Sequence, residues 1–396
     1  GMRDTAYFEV TVRRLPENWG YFVMAGLKEL EGYIKEFRFA EGDIKFLHST
    51  KLFSDEFLQY LSGLKADVKL RAIPEGTVFF ANEPVLEVEG DLICAQILES
   101  YVLNILGFSI ITATVAARTI TAAKGVDVVD FGLRRCQGPI ASIRAARAGQ
   151  MAGFKATSNL YAARLFGFAC TGTMAHSFVE IHDTEEASFR NFAELYGSRA
   201  VFLVDTYDPV EGIKKAAKAA AQVYREKGIK VAGIRIDSGD LVKLTRFARG
   251  HFEDAGVPFM KIFISGDLDE FKIEDLLKNG GEVDGIGIGT RFAVSRFAPS
   301  IDIVYKVVQY GGKGLYKTSP DKHSRPGRKT ITRVCEKFYA KDVVSQYEAR
   351  RDDLLQPFEN SEDIATIKKR LGEELARLEP AVKAITNPAE YPVVFT

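Results

Sequence analysis

Short apolar runs punctuate the middle of the chain, at 126–131, 200–205, 231–236, 260–264 and 283–289, with a weaker one at 168–171. Stretches of helical periodicity lie between them. In one, Ile213, Ala216, Ala217, Ala220, Val223 and Tyr224 follow the three-and-four spacing of a buried helical stripe. Asp208 is placed to cap that helix and Pro209 to occupy its first turn. In another, Ile273, Leu276 and Leu277 repeat the stripe, and the Asn-Gly-Gly at 279–281 stops it.

Runs that are apolar throughout, alternating with helices, predict a parallel sheet buried on both faces. An open doubly wound sheet and a closed barrel both satisfy that pattern. The strand ends choose between them. Arg134, Asp205, Asp237, Ser265 and Gly289 stand at or just past the ends of successive runs. Polar groups from many strand ends meet at one rim only when the sheet closes. The expected fold is α/β, an irregular TIM-like β/α barrel over residues 109–302.

The flanks lack this alternation. Residues 1–108 mix strand-like runs at 7–13, 77–80 and 85–88 with a helical run at 54–64. Residues 303–396 open with strands and carry a charged helix near 364–378. They are read together as a second, smaller α+β domain built from both ends of the chain.

Composition narrows the function classes. Lys plus Arg equals Asp plus Glu, 53 against 53, so no basic excess points to nucleic acid. The four cysteines, at 94, 136, 170 and 335, form no CxxC pair and no zinc spacing, which fits reduced thiols. The longest apolar stretch, near 105–117, is interrupted by Ser109, Thr112 and Thr114. It is shorter than the roughly 20 residues of a bilayer span, so no membrane segment is expected. The N-terminal GMRDT lacks the apolar core of a signal peptide, and Gly1 before Met2 reads as a cloning remnant. The cytosol is the expected location.

Several strand ends carry candidate chemistry. The run at 283–289 ends in Gly289-Thr290, and the preceding one in Ser265-Gly266-Asp267. Bare backbone N–H groups at late barrel strands suit a phosphate, although glycines packed under a helix give the same pattern. No Rossmann or Walker motif is present. Arg235 and Asp237 sit on one side of a strand end, where an acid can steady positive charge at an anomeric carbon and an arginine can hold an anion. The bland alternative is a salt-bridged strand end, with Ser238 or Asp240 capping the next helix. Asp205 ends another run and adds a second carboxylate. Five histidines stand at 48, 176, 182, 251 and 323. His176, just past a strand end, is a candidate base or phosphoryl acceptor, or else a structural histidine. Phe131 and Arg134 offer a stacking face and a counter-charge for a planar anionic ring, or else a core side chain beside a surface one.

Taken in order, the blocks DFGLRR at 130–135, ATSN at 156–159, GTMAHSF at 172–178, VDTYD at 204–208, IRIDSGDL at 234–241, SGDLDE at 265–270 and GIGT at 287–290 resemble the nicotinate phosphoribosyltransferase family. The resemblance runs from about residue 14 to residue 329. It implies an enzyme that joins nicotinate to phosphoribosyl pyrophosphate, with magnesium, in the salvage route to NAD. ATP hydrolysis is coupled through a transient phosphohistidine, a ligase by class with pentosyltransferase chemistry. His176 is then the phosphorylated histidine. Asp237 with Arg235 contacts ribose and pyrophosphate, and Asp205 organises the same region. Ser265, Gly266, Asp267, Gly287, Gly289 and Thr290 form the phosphoribosyl and phosphate site. Phe131, Arg134 and Ser158 receive nicotinate, and serine at 158 tolerates a carboxylate where an acid would suit nicotinamide. Lys317 and Arg328 serve ATP or pyrophosphate. No protein metal ligands are assigned, because magnesium enters mainly on the pyrophosphate.

The resemblance also implies a homodimer. Family members carry an upstream stretch whose tyrosine stacks on the pyridine ring; the sequence starts after it, and Tyr7 and Tyr21 are not at the matching position. Alternatives are a quinolinate or nicotinamide phosphoribosyltransferase, or a catalytically silent phosphoribosyl-binding paralogue.

Overall fold

The apolar runs form strands because β-branched and aromatic side chains suit a pleat covered on both faces. In a computed structural model describing residues 4–317 and 325–396, which leaves His323 outside the described residues, the chain divides into two compact units. One comprises Gly1–Thr114 with Phe297–Thr396, the other Val115–Arg296. The sequence pattern places these boundaries at 108/109 and 302/303.

The central unit holds a six-stranded parallel sheet among the described residues, in the order Ala156–Thr157, Asp127–Asp130, Gly285–Ile288, Lys261–Ile264, Gly233–Ile236, Val201–Leu203. The first long strand therefore lies beside the last, with Val129 opposite Gly287, which is how a barrel closes. On the other side the ring is less regular. The run at 168–171, expected as a strand, contributes one bridge, Thr157 to Cys170, and no ladder reaches from there to Val201–Leu203. The two-residue strand Ala156–Thr157 was not expected as a strand; two residues carry no periodicity. Ile234, Ile236, Ile262 and Phe202 are fully buried, as a two-sided sheet requires.

The helix expected after the 200–205 run spans Pro209–Lys227. The Asp208 carboxylate accepts from the Glu211 N–H at 2.9 Å, and Gly228 ends the helix in the left-handed region. Its buried stripe contains Ile213, Ala216, Ala217, Ala220 and Val223, but Tyr224 is exposed and packs on Phe259. A phenol fits such a boundary, because its hydroxyl stays wet.

In the other unit both flanks share one antiparallel sheet, ordered Lys313–Gly314, Ile303–Tyr310, Thr5–Val12, Pro84–Asp91, Val68–Ala72, Gln356–Phe358. Thr5–Val12 is paired on one side with a strand from the C-terminal flank and on the other with Pro84–Asp91. The expected helices appear as Asp55–Ser62, capped by the Ser54 hydroxyl, and Ile364–Arg377, capped by Asp363. The apolar stretch near 105–117 lies within the helix Glu99–Ala123. By length and composition alone that helix is able to cross a membrane, but 72% of its most apolar window is buried in protein. It reads as a core helix.

Candidate functional site

The carboxyl ends of the parallel strands open into a cavity of about 880 Å3. Phe131, Arg134, Ser158, His176, Arg235, Asp237, Ser265, Gly266, Asp267, Gly287, Gly289 and Thr290 all line it. Residues almost 160 positions apart in the chain meet because parallel strands place every such end on one side. Three arginines (134, 135 and 235) face two aspartates (237 and 267) in this lining. One of those acids is already paired elsewhere, so the wall favours an anionic ligand.

Asp205 lies beneath the cavity rather than in its lining, and is buried. Its Oδ2 accepts from the Asp237 backbone N–H at 3.0 Å and from the Ser238 hydroxyl at 2.6 Å. It therefore fixes the turn that presents Asp237. The Asp237 Oδ1 in turn accepts a short hydrogen bond from the Ser265 hydroxyl. Asp240, not Ser238, caps the following helix, accepting from the Lys243 N–H at 3.2 Å. Arg235 does not close a salt bridge at this strand end. Its Nη1 donates to the Thr173 hydroxyl at 2.8 Å, and its Nε is buried without a hydrogen-bond partner. Burial pulls the guanidinium below its usual range, against the nearby Asp237 and Asp205. An arginine remains charged despite this, so the group is a desolvated cation at the cavity wall. His176 is half-buried, with Nδ1 3.1 Å from the Thr206 hydroxyl.

At the other end, Asp130 shapes the turn that delivers Phe131. Its Oδ1 accepts from the Gly132 N–H at 2.6 Å and its Oδ2 from the Thr157 hydroxyl at 2.6 Å. Burial raises its carboxyl above the ordinary range, and those two bonds act against the rise. The Phe131 ring lies where a side chain on Gly287 would stand, since a Cβ there would meet ring carbons at 2.3 and 2.5 Å. Gly287, expected at the phosphate, thus makes room for the aromatic. Phe131 is half-buried rather than a core residue, while Arg134 is exposed, as either reading of it allowed. The Cys136 thiol, past this turn, is pushed up to about 12 by burial and by Asp130.

The glycine rim is built differently. Gly266 has a φ of +96°, and a Cβ would meet the Asp237 carbonyl oxygen at 1.8 Å, so only glycine fits. Asp267, also at positive φ, is held by the Arg291 guanidinium, whose Nε is 2.6 Å from its Oδ1, and by Lys272. Arg291, first of these, and Lys272 keep the Asp267 carboxyl below the usual range. The negative charge is thereby neutralised beside a rim where Gly289 and Thr290 offer backbone groups.

Tyr7, Tyr21, Lys317 and Arg328 belong to the other unit and are not among the lining residues. Arg328 is engaged by Glu87 at 2.7 Å and stacked between Tyr7 and Tyr347, at 4.4 and 4.1 Å. The sequence reading missed Leu133, Arg135, Thr173, Met174, Ala175 and Ser177, which line the cavity, and Arg291, which holds Asp267. Apart from Arg291, all lie inside the quoted blocks at 130–135 and 172–178. Among the described residues, no group of three or more His, Cys, Asp or Glu side chains is placed to hold a metal ion.

The profile of the nicotinate phosphoribosyltransferase N-terminal domain matches residues 1–107, and that of the nicotinate phosphoribosyltransferase family matches residues 126–341. Nicotinate phosphoribosyltransferase pncB2 of Mycobacterium tuberculosis is 42% identical over 335 residues, covering 85% of this chain and 72% of the relative. The Bacillus subtilis nicotinate phosphoribosyltransferase is 32% identical, covering 98% and 87%. In structure, human nicotinic acid phosphoribosyltransferase superposes with a TM-score of 0.83 at 25% identity, over 100% of this chain and 94% of that one. The nicotinate-nucleotide pyrophosphorylase of Pyrococcus furiosus superposes at 0.76 and 26% identity, over 95% and 90%.

Proposed function

Because the chain belongs to the nicotinate phosphoribosyltransferase family, we propose that its cavity joins nicotinate to phosphoribosyl pyrophosphate in NAD salvage. The pyridine nitrogen bonds to the anomeric carbon, the bond to pyrophosphate breaks, and pyrophosphate leaves with the electron pair as nicotinate mononucleotide forms. One observation carries the reading. The same cavity gathers a desolvated arginine, a fixed carboxylate, a histidine and an aromatic face with arginines beside it.

Each group has a part. Loss of pyrophosphate leaves an oxocarbenium-like ribose, which Asp237 steadies while Arg235 takes the charge on the leaving group. Asp205 and Ser265 keep the Asp237 carboxylate in place without reorganisation. Phe131 supplies a face for the pyridine ring, Arg134 meets its carboxylate, and Ser158 leaves the site tolerant of that anion. Ser265, Gly266, Gly289 and Thr290 take the 5-phosphate, with Asp267 neutralised by Arg291 to permit it. Magnesium enters on the pyrophosphate. The hard oxygen of Asp237 suits such an ion. ATP phosphorylates His176, and hydrolysis of that phosphate drives the transfer forward. The enzyme works in the cytosol as a homodimer. The exposed Ile140, Leu160, Tyr161 and Leu165 on neighbouring helices support association.

The test is turnover of nicotinate, nicotinamide and pyridine-2,3-dicarboxylate with phosphoribosyl pyrophosphate and magnesium, with and without ATP. The expected outcome is product from nicotinate, stimulated by ATP in the wild type and not in His176→Ala. Product from the dicarboxylate instead would assign a quinolinate enzyme. Binding of the sugar pyrophosphate without turnover of any pyridine would assign a silent paralogue.

A further inference from the structure

Three stretches of the cavity wall meet at one buried residue that does not line the cavity, Thr157. In the parallel ladder it stands opposite Asp130. Its backbone N–H donates to the Ala169 carbonyl and its carbonyl accepts from the Thr171 N–H, both at 3.0 Å. Those bonds tie it to the run that leads into the lining residues from Thr173 to Ser177. The side chain joins the other two stretches. The Asn159 N–H can only donate, so the Thr157 hydroxyl accepts there, at 3.0 Å, and keeps its own hydrogen for the Asp130 Oδ2, at 2.6 Å. The other Asp130 oxygen holds the Gly132 N–H, between Phe131 and Arg134, while the Asp130 carbonyl accepts from the Ser158 N–H at 2.8 Å.

We infer that Thr157 is a positioning residue for the pyridine subsite, its hydroxyl clasping the turn of Phe131 and Arg134 to the turn of Ser158 and so fixing the gap that receives the ring. The inference rests on the nicotinate reading given above. Neither half of the clasp touches the cavity, so both act through the residues they hold. Ser158 stands between Thr157 and Asn159, and Asn159 is pinned in turn. Its Nδ2 donates to the Ser142 hydroxyl and its Oδ1 accepts from the Ala162 N–H, both at 3.1 Å. Both turns are therefore fixed to the same buried carboxylate, one on each of its oxygens.

Removal of the hydroxyl isolates this function. Valine has nearly the shape of threonine and keeps every backbone bond, but it leaves the Asp130 Oδ2 and the Asn159 N–H buried with one partner fewer. A buried polar group stripped of its partner carries the full cost of desolvation, and the chain relieves that cost by moving the group. Movement of Asp130 carries Phe131 and Arg134 with it, and movement of Asn159 carries Ser158. The glycine rim is built on other strand ends, at Ser265, Gly266 and Gly289, and is not bonded to the clasp. The effect should therefore fall on the pyridine and spare the phosphates.

The test uses the full chain and measures the KM for nicotinate, phosphoribosyl pyrophosphate and ATP in wild type, Thr157→Val and Thr157→Ser. In Thr157→Val the KM for nicotinate should rise about fivefold to tenfold, the worth of one net hydrogen bond, while the other two stay within about twofold. Thr157→Ser keeps the hydroxyl and should bring the nicotinate KM back to within about twofold of wild type. Loss of folded enzyme lowers kcat and leaves KM alone, so the split separates positioning from stability. If Thr157→Val does not fold, Asp130→Asn takes its place. An amide has one oxygen and cannot accept from both Gly132 and Thr157, so the same selective rise, of at least about twofold, is expected. An unchanged nicotinate KM, or a rise shared equally by all three substrates, would overturn the inference and leave the proposed function standing. A wild type that neither binds nor turns over nicotinate would overturn both together.

Discussion

In the flank-built unit, Arg333 uses all three guanidinium nitrogens, bonding Asp342 through Nε and Nη2, Glu374 through Nη1 and the Val78 carbonyl through Nη2. Tyr391 and Tyr339 add hydroxyl bonds to the same two acids. At the rim of the parallel-strand unit, by contrast, Arg235 has one partner, a neutral threonine, and leaves its Nε buried and unmet. Asp205 likewise leaves Oδ1 unmet. Burying a charge costs several kcal/mol, so a chain that saturates it is building structure, while one that leaves it open holds capacity for something else. The remaining acid of the first network supports this. Glu83 is wholly buried beside Asp342, and burial, then that neighbour, raises its carboxyl well above the ordinary range, which favours its uncharged form.

The contrast is breakable by mutation. Arg333→Ala strands Asp342, which has no exposure, and should cost about 3–5 kcal/mol of stability. Thermal unfolding checks this, and kcat/KM per folded molecule should stay within about twofold of wild type. Arg235→Ala should behave in the opposite way. Removal of one preorganised donor costs about 3–4 kcal/mol of transition-state stabilisation, a drop of roughly 10²–10³ in kcat/KM for phosphoribosyl pyrophosphate. The melting temperature should move by no more than about 2 °C, since little is bonded to this side chain in the first place. An Arg235→Ala enzyme that melts early and turns over normally would undo the distinction.

How far these sites were legible in the sequence follows from the same contrast. The strand-end groups were readable because a parallel sheet converts position in the chain into position at the rim, so Asp205, Asp237, Ser265 and Gly289 needed only the period of the runs. Ser158 follows a segment too short for periodicity and came from the resemblance of its block, whereas His176 was a candidate from its place past the weak run at 168–171 and took its role from the resemblance. The partners that matter at second remove were not legible. Nothing in the spacing says that Thr206 meets His176 or that Arg291 neutralises Asp267, because each pairing depends on the twist and curvature of the sheet. Gly287 shows a subtler limit. A glycine at a strand end signals close approach, but not whether a phosphate or the Phe131 ring does the approaching.

Arg328 sharpens the comparison, because sequence placed it among phosphate ligands and the structure gives it the saturated pattern. Its Nε and Nη2 both bond Glu87, a carboxylate that is 4% exposed, and its plane is sandwiched by Tyr7 and Tyr347. Arg71 also bonds Glu87, at 3.0 Å, and lies over the same Tyr347. Glu87 therefore keeps one cation when the other is removed, and the loss should be smaller than at Arg333. We expect Arg328→Met to cost about 1–2 kcal/mol, the worth of a charged hydrogen bond partly offset by the retained apolar stem. The KM values for ATP and phosphoribosyl pyrophosphate should stay within about twofold, measured beside the melting temperature. A tenfold rise in either KM with unchanged melting would return Arg328 to the phosphates and show that one acidic and two aromatic neighbours are not enough to mark an arginine as structural.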